Sequence, residues 1–144
     1  MFIVNVEGAV YSGDMWLIIK RSAKEKHAGG TLSLVGGKVD NESSSVEILE
    51  RTVKREILEE VGIEIMDNLH YVYSSLVTLD TGSNFINIVF LCPYNKGTAY
   101  CKSPDEVEAV YWMTFDEIMN HPNTPPWMKE SVIRAEEIRK RLDQ

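Results

Sequence analysis

Glu56, Glu59 and Glu60 place three carboxylates within five residues, in the run Arg55-Glu56-Ile57-Leu58-Glu59-Glu60-Val61-Gly62-Ile63. Spacings of i, i+3 and i+4 project them from one side of a helix. Near neutral pH, like charges this close repel one another unless a cation compensates them. The simplest compensator is a hard divalent ion, which prefers oxygen ligands. Upstream, Gly36-Gly37-Lys38-Val39-Asp40 carries a glycine pair that lets backbone oxygens and amides approach the same place. The pattern points to metal-assisted chemistry.

The carboxylates need a helix to hold their spacing, and the sequence supplies one. Leu49, Val53, Ile57 and Val61 recur every four residues, with Val46 and Leu58 flanking, as in an amphipathic helix with one buried stripe. Ser44 followed three residues later by Glu47 is a capping-box signature for its start. Gly62 sits where a C-terminal cap belongs. Before this helix the texture is that of strands: residues 2–11 and 15–20 flank the turn Ser12-Gly13-Asp14, and residues 31–35 run into the glycine pair. Residues 21–30 read as an exposed polar loop and 41–45 as a small polar one.

After the helix, strands are expected at 69–79 and 85–92, separated by the turn cluster Asp80-Thr81-Gly82-Ser83-Asn84. A further strand is expected at 106–113, then a short helix at 114–120. Pro122, Pro125 and Pro126 break the chain before a last amphipathic helix over 127–141. Strands, one central helix, strands and then helices make an α+β protein, an α/β/α sandwich with a mixed sheet between helices.

Bulk properties bound the function classes. At 144 residues one domain spanning 1–144 is expected, with 44% hydrophobic and 26% charged residues, ordinary for a globular protein. A net charge of −7 argues against indiscriminate binding to nucleic acid or anionic membrane, though not against a polyphosphate whose bound cations reverse the local sign. Cys92 and Cys101 have no CxxC spacing and no histidine at zinc-ligand spacing, so two reduced, inert thiols and a cytoplasmic setting are expected. No apolar run approaches the ~20 residues of a membrane span, and the start of the chain lacks the features of a signal peptide.

The residues resemble the Nudix hydrolase family, whose box is G-x5-E-x7-R-E-U-x-E-E-x-G-U with U aliphatic. Arg55 to Ile63 matches the second half at every defined position, and Glu47 lies eight residues before Arg55 as the box requires. Between Gly37 and Glu47 stand nine residues where the box has five, an insertion of four in the 41–45 loop. Loops accept such additions at small entropic cost. Val35 precedes the glycine pair where many members have proline.

The resemblance implies a Nudix-type fold and hydrolysis of a nucleoside diphosphate linked to another group, with magnesium or manganese as cofactor. Carried over, Glu56, Glu59 and Glu60 would be metal ligands and Gly37 would offer its carbonyl. Arg55 would orient the helix glutamates together with Glu47, and Gly62 completes the structural box. Glu56 is the candidate base, with Glu106 or Glu108 as competitor. The partner is a small nucleotide, either a nucleoside triphosphate or a nucleotide sugar such as ADP-ribose. The specificity pocket is expected among the first strand pair, the 24–30 loop and the 80–84 turn. A homodimer is left open. The alternatives are a non-catalytic Nudix-like nucleotide sensor, and an isomerase or decapping variant, the latter disfavoured by the lack of a basic RNA-binding stretch.

Other signals take plainer readings. His27, His70 and His121 are scattered, without a partner at ligand spacing. Gly36-Gly37-Lys38 is not a P-loop, since Leu32 and Val39 stand where that motif needs glycine and Ser/Thr. Trp112 reads as a core residue, Trp127 as packing or substrate rim, and Glu130, Arg134, Glu137 and Lys140 as a solvent face.

Overall fold

The computed structural model describes residues 1–40 and 46–143. Its strands are β1 (Phe2–Ser12), β2 (Met15–Arg21), β3 (Leu32–Ser33), β4 (Val35–Lys38), β5 (Glu64–Ile65), β6 (His70–Thr78), β7 (Asn84–Lys96) and β8 (Val107–Thr114). The helices are α1 (Ile48–Val61), α2 (Phe115–Asn120) and α3 (Pro126–Leu142). The Ser44 half of the expected capping box and the four-residue insertion fall in 41–45, outside the described residues. The described helix begins at Ile48, with Glu47 as its N-cap in a left-handed conformation (φ 54°) and no side-chain cap.

The sheet is mixed. β1 runs parallel to β7 from Phe2↔Asn84 to Tyr11↔Pro93, and its end pairs antiparallel with β2. β4 pairs antiparallel with β1, Val6 opposite Gly37. The glycine pair therefore lies within a strand and not after one. β8 and β3 pair with β2, and β6 and β5 with β7, all antiparallel.

Helices cover both faces, which is why the central strands read as nearly continuous apolar runs. On β2, Leu17 and Ile19 join Val53, Ile57 and Val61 of α1 in one cluster. Trp16 and Ile18, pointing the other way, join Met128, Val132 and Ala135 of α3. β7 divides likewise, with Phe90 and Cys92 on the α1 side and Val89 and Leu91 on the α3 side. Of the expected α1 stripe Val53, Ile57 and Val61 are buried and Leu49 half-buried, whereas Val46 and Leu58 are exposed. Each fully buried aliphatic side chain stabilises the fold by about 1.5–3 kcal/mol.

The ends of the helices have local causes. Gly62 caps α1 at φ 72°, its N–H donating to the Leu58 carbonyl at 3.1 Å. Thr114 caps α2 through a reciprocal capping box with Glu117, and Pro126 opens α3 at its first position. Trp16, wholly buried, donates its indole N–H to Glu136 of α3 at 2.8 Å. Trp112 packs against the α1-side cluster, edge-on to Tyr94 at 5.6 Å, while Trp127 is exposed. Arg134 pairs with Glu130 on the solvent face of α3. Both cysteines are free, Cys92 buried. Among the described residues, no helix is long and apolar enough to cross a membrane.

Candidate active site

A cleft of about 600 Å³ opens beside β4, where α1 faces the sheet. Asn5, Arg21, Gly37, Glu56, Glu60 and Glu106 all line it. Five different segments of the chain meet here, and backbone hydrogen bonds fix their approach. The end of α1 is tied to the loop between β7 and β8 by Tyr100 N–H to the Val61 carbonyl and Lys102 N–H to the Glu60 carbonyl, both at 3.1 Å. That loop delivers Glu106, whose carbonyl accepts from the Ser22 N–H at 2.9 Å.

Gly37 and Glu56 stand closest. A Cβ at position 37 would lie 2.3 Å from Glu56 Cδ, so the carboxylate occupies space that any other residue would fill. Arg55 braces this contact. Its guanidinium donates to the Lys38 carbonyl at 3.3 Å, to Asp40 at 3.1 Å and to Glu56 Oε1 at 3.2 Å, and approaches Glu59 at 4.0 Å. Helix and strand are tied by one side chain. Glu47, the expected partner of Arg55, is exposed. The left-handed turn puts Glu47 ahead of the helix and outside its side-chain register.

Glu60 is buried, and its Oε2 has no hydrogen-bond partner among the described residues. Its pKa is pushed up to about 9, first by burial and then by the charges of Glu106 and Glu56. Burial also raises Glu56, against the lowering effect of Arg55. Arg55 offsets part of this cost for Glu56, whereas for Glu60 burial and the neighbouring carboxylates dominate.

Glu59 does not join them. At 3.6 residues per turn, Glu60 lies about 40° to one side of Glu56 and Glu59 about 60° to the other. Only the first of these directions leads into the cleft; the Glu59 side chain is 61% exposed. Glu108 is likewise outside. It falls where the β2–β8 register shifts, between Ala109 opposite Lys20 and Val107 opposite Arg21, and it pairs with Lys20 at 2.9 Å. Of the two late glutamates the cleft therefore contains Glu106.

A hard divalent cation fits this donor set. The Glu60 oxygen, the Glu56 carboxylate and the Gly37 backbone beside it offer oxygen ligands of the type such ions take. The carboxylates are not already drawn around one point: among the described residues no three acidic, histidine or cysteine side chains form a ready-made ion-holding group.

Comparison with known proteins agrees with this architecture. The sequence model of the NUDIX domain matches residues 1–135. The crystal structure of a MutT NUDIX hydrolase from Burkholderia pseudomallei is 28% identical, covering 94% of this chain and 97% of that one with a TM-score of 0.75. The MutT protein from Methanosarcina mazei Go1 shares the fold at 23% identity and a TM-score of 0.77, over 96% of each chain. A UDP-X diphosphatase shares it at 14% identity and a TM-score of 0.71, over 97% of this chain and 64% of that one. Among curated proteins, no sequence matches significantly. With a mixed sheet between helices, two box glutamates, Glu56 and Glu60, at one cleft and a family match over most of its length, the chain belongs to the NUDIX domain family and is a Nudix hydrolase.

Proposed function

We propose that the chain hydrolyses a diphosphate linkage in a nucleoside diphosphate derivative, a nucleoside triphosphate or a nucleotide sugar such as ADP-ribose, with magnesium or manganese. The observation that carries this reading is the buried oxygen of Glu60, without a hydrogen-bond partner among the described residues, in the cleft that Glu56, Glu106 and Gly37 also line. Glu56, Glu60 and the Gly37 carbonyl would hold the ion, with Glu59 as an outer ligand or as a second partner of Arg55. When bound, the ion neutralises phosphate oxygens and lowers the pKa of a water.

The chain's own residues do the rest. Arg55 is a positioning residue: by bridging Lys38, Asp40 and Glu56 it fixes how far α1 stands from β4. Arg21 and Lys38, which line the same cleft, bring positive charge to a polyphosphate. Glu56 takes the proton of the attacking water, with Glu106 as the alternative base. The two free thiols suit a reduced compartment such as the cytoplasm.

A hydrolysis screen over nucleoside triphosphates, ADP-ribose, other nucleotide sugars and dinucleoside polyphosphates tests the reading, with each ion and with EDTA. Turnover that needs the ion supports it. Turnover that survives EDTA, or none on any diphosphate, overturns it.

A further inference from the structure

Strand β6 closes the sheet on the side away from the cleft, and it pairs with β7 alone. Among the described residues, no backbone hydrogen bond from outside β7 reaches residues 70–78. The alternate N–H and C=O groups of its outer edge are therefore open to another strand. A register shift interrupts the ladder between Tyr71 and Tyr73, and from Tyr73 to Thr78 the pairing is regular.

Folded proteins blunt such edges with charge, proline or short length. The other outer strands here follow that rule. β3 and β5 are two residues long and β4 four, while β8 carries Glu108 in an ion pair with Lys20. β6 has none of these devices. Although 26% of the chain is charged, residues 69–79 contain no Asp, Glu, Lys, Arg or Pro. Large apolar side chains are exposed along it instead, Leu76 by 62%, Tyr71 by 57% and Val77 by 41%.

Helix α3 borders the same edge. Tyr73 of β6 meets the Ser131 hydroxyl at 2.7 Å, and the Arg134 guanidinium lies 4.7 Å from its ring centre. Trp127 stands four residues before Ser131 and seven before Arg134, on the same stripe of the helix. Its side chain is 63% exposed. An exposed tryptophan beside an open strand is the composition of an interface core and not of a solvent face.

Charge selects the occupant. Two copies of a chain of net charge −7 repel each other, and they approach most easily where each is neutral. A cationic partner would be drawn to the acidic surface and would find no carboxylate on 69–79. A second β6 supplies an equally neutral strand, and two identical strands pair antiparallel about a two-fold axis with donors and acceptors matched. We propose that β6 is the seam of a homodimer, in which the β6 strands of two copies pair antiparallel and Trp127 covers the junction. One strand pair and a few side chains make a small interface, below about 1,200 Å² in total, so the dimer is weak, with a Kd of about 10–100 μM. β7 and β1 separate β6 from β4, so the cleft of each copy stays open.

Sedimentation velocity of the wild-type protein from about 5 to 500 μM tests this, the range spanning the expected Kd. The mass is expected to rise from that of one chain toward that of two. Leu76 lies at the centre of the regular segment, so Leu76→Lys sets like charges against each other across the axis and should hold the protein monomeric. Trp127→Ala should weaken association about tenfold or more. Amide hydrogen exchange of the wild-type protein should slow at residues 73–78 as concentration rises, a reading that stands even where Leu76→Lys does not fold. A wild-type monomer at the highest concentration overturns the proposal, as does a dimer that folded Leu76→Lys leaves in place. Exchange at 73–78 that ignores concentration overturns it too, and so do assemblies that grow past two copies.

Discussion

Gly37 of β4 and Glu56 of α1 fit so closely that a methyl group at position 37 would fall 2.3 Å from the Glu56 carboxyl carbon. The glycine is what allows the helix to set its carboxylate against the strand. The obstructing atom belongs to a flexible side chain, so Gly37→Ala should displace Glu56 and leave the fold intact. A misplacement of about 1 Å costs on the order of a hundredfold in rate. A kcat loss of that order with little change in melting temperature is expected from steady-state kinetics and calorimetry. Unchanged kcat would show that Glu56 does not depend on this contact.

Arg55→Lys should lower activity by about 10–100-fold, the usual loss when a group that orients site residues is changed. Lysine keeps the charge but cannot reach the Lys38 carbonyl, Asp40 and Glu56 at once, as the guanidinium does. Kinetics on the folded variant would check this, and wild-type rates would remove the positioning role.

Glu106 and Glu108 should separate cleanly. Glu106→Gln removes a carboxylate from the cleft and should lower kcat about tenfold or more. Glu108→Gln breaks only a partly exposed pair with Lys20, an interaction worth roughly 0–1 kcal/mol. Its kcat should stay within about twofold of wild type. Equal losses from both variants would contradict the placement of these two residues.

Glu7 predicts a pH dependence of stability. Burial raises its pKa above 4.5, opposed by the Asn87 hydrogen bond and by Arg21. The folded protein therefore holds this proton more tightly than the unfolded chain does. The associated stability is complete below the unfolded pKa and is lost as pH rises through the folded one. Glu7→Gln removes that loss, so its melting temperature relative to wild type should climb as pH rises from 4.5 upward. A constant difference across that range would contradict the assignment.

The helix that carries the site was legible because its signals are local. Val53, Ile57 and Val61 mark its buried stripe, and Gly62 marks its end. Its start was not: the spacing of Ser44 and Glu47 suggested a cap, whereas Glu47 itself turns left-handed and Ile48 begins the helix. The strand expected at 31–35 stops short of Gly36-Gly37, yet β4 holds the pair within a strand, matched with β1 some thirty residues earlier. Strand alternation could not choose between Glu106 and Glu108, because a register shift against β2 decides which one meets the cleft. Asn5, Glu7 and Asn87 carry no local signal in the sequence. Their hydrogen bonds to one another arise only when β1 and β7 become parallel neighbours, as that of Glu136 does when α3 reaches Trp16.

The carboxylates of the cleft, the buried Glu60 first among them, exist in this account to serve catalysis. The most direct test is Glu60→Gln, measured for turnover with magnesium and, in EDTA, for melting temperature. Glu60 is buried with an oxygen that has no hydrogen-bond partner among the described residues, so a neutral amide of the same shape relieves a cost to the fold. The expected result is a protein that melts no lower than wild type while its kcat falls about a hundredfold or more. A folded Glu60→Gln enzyme with near-full turnover would contradict the account.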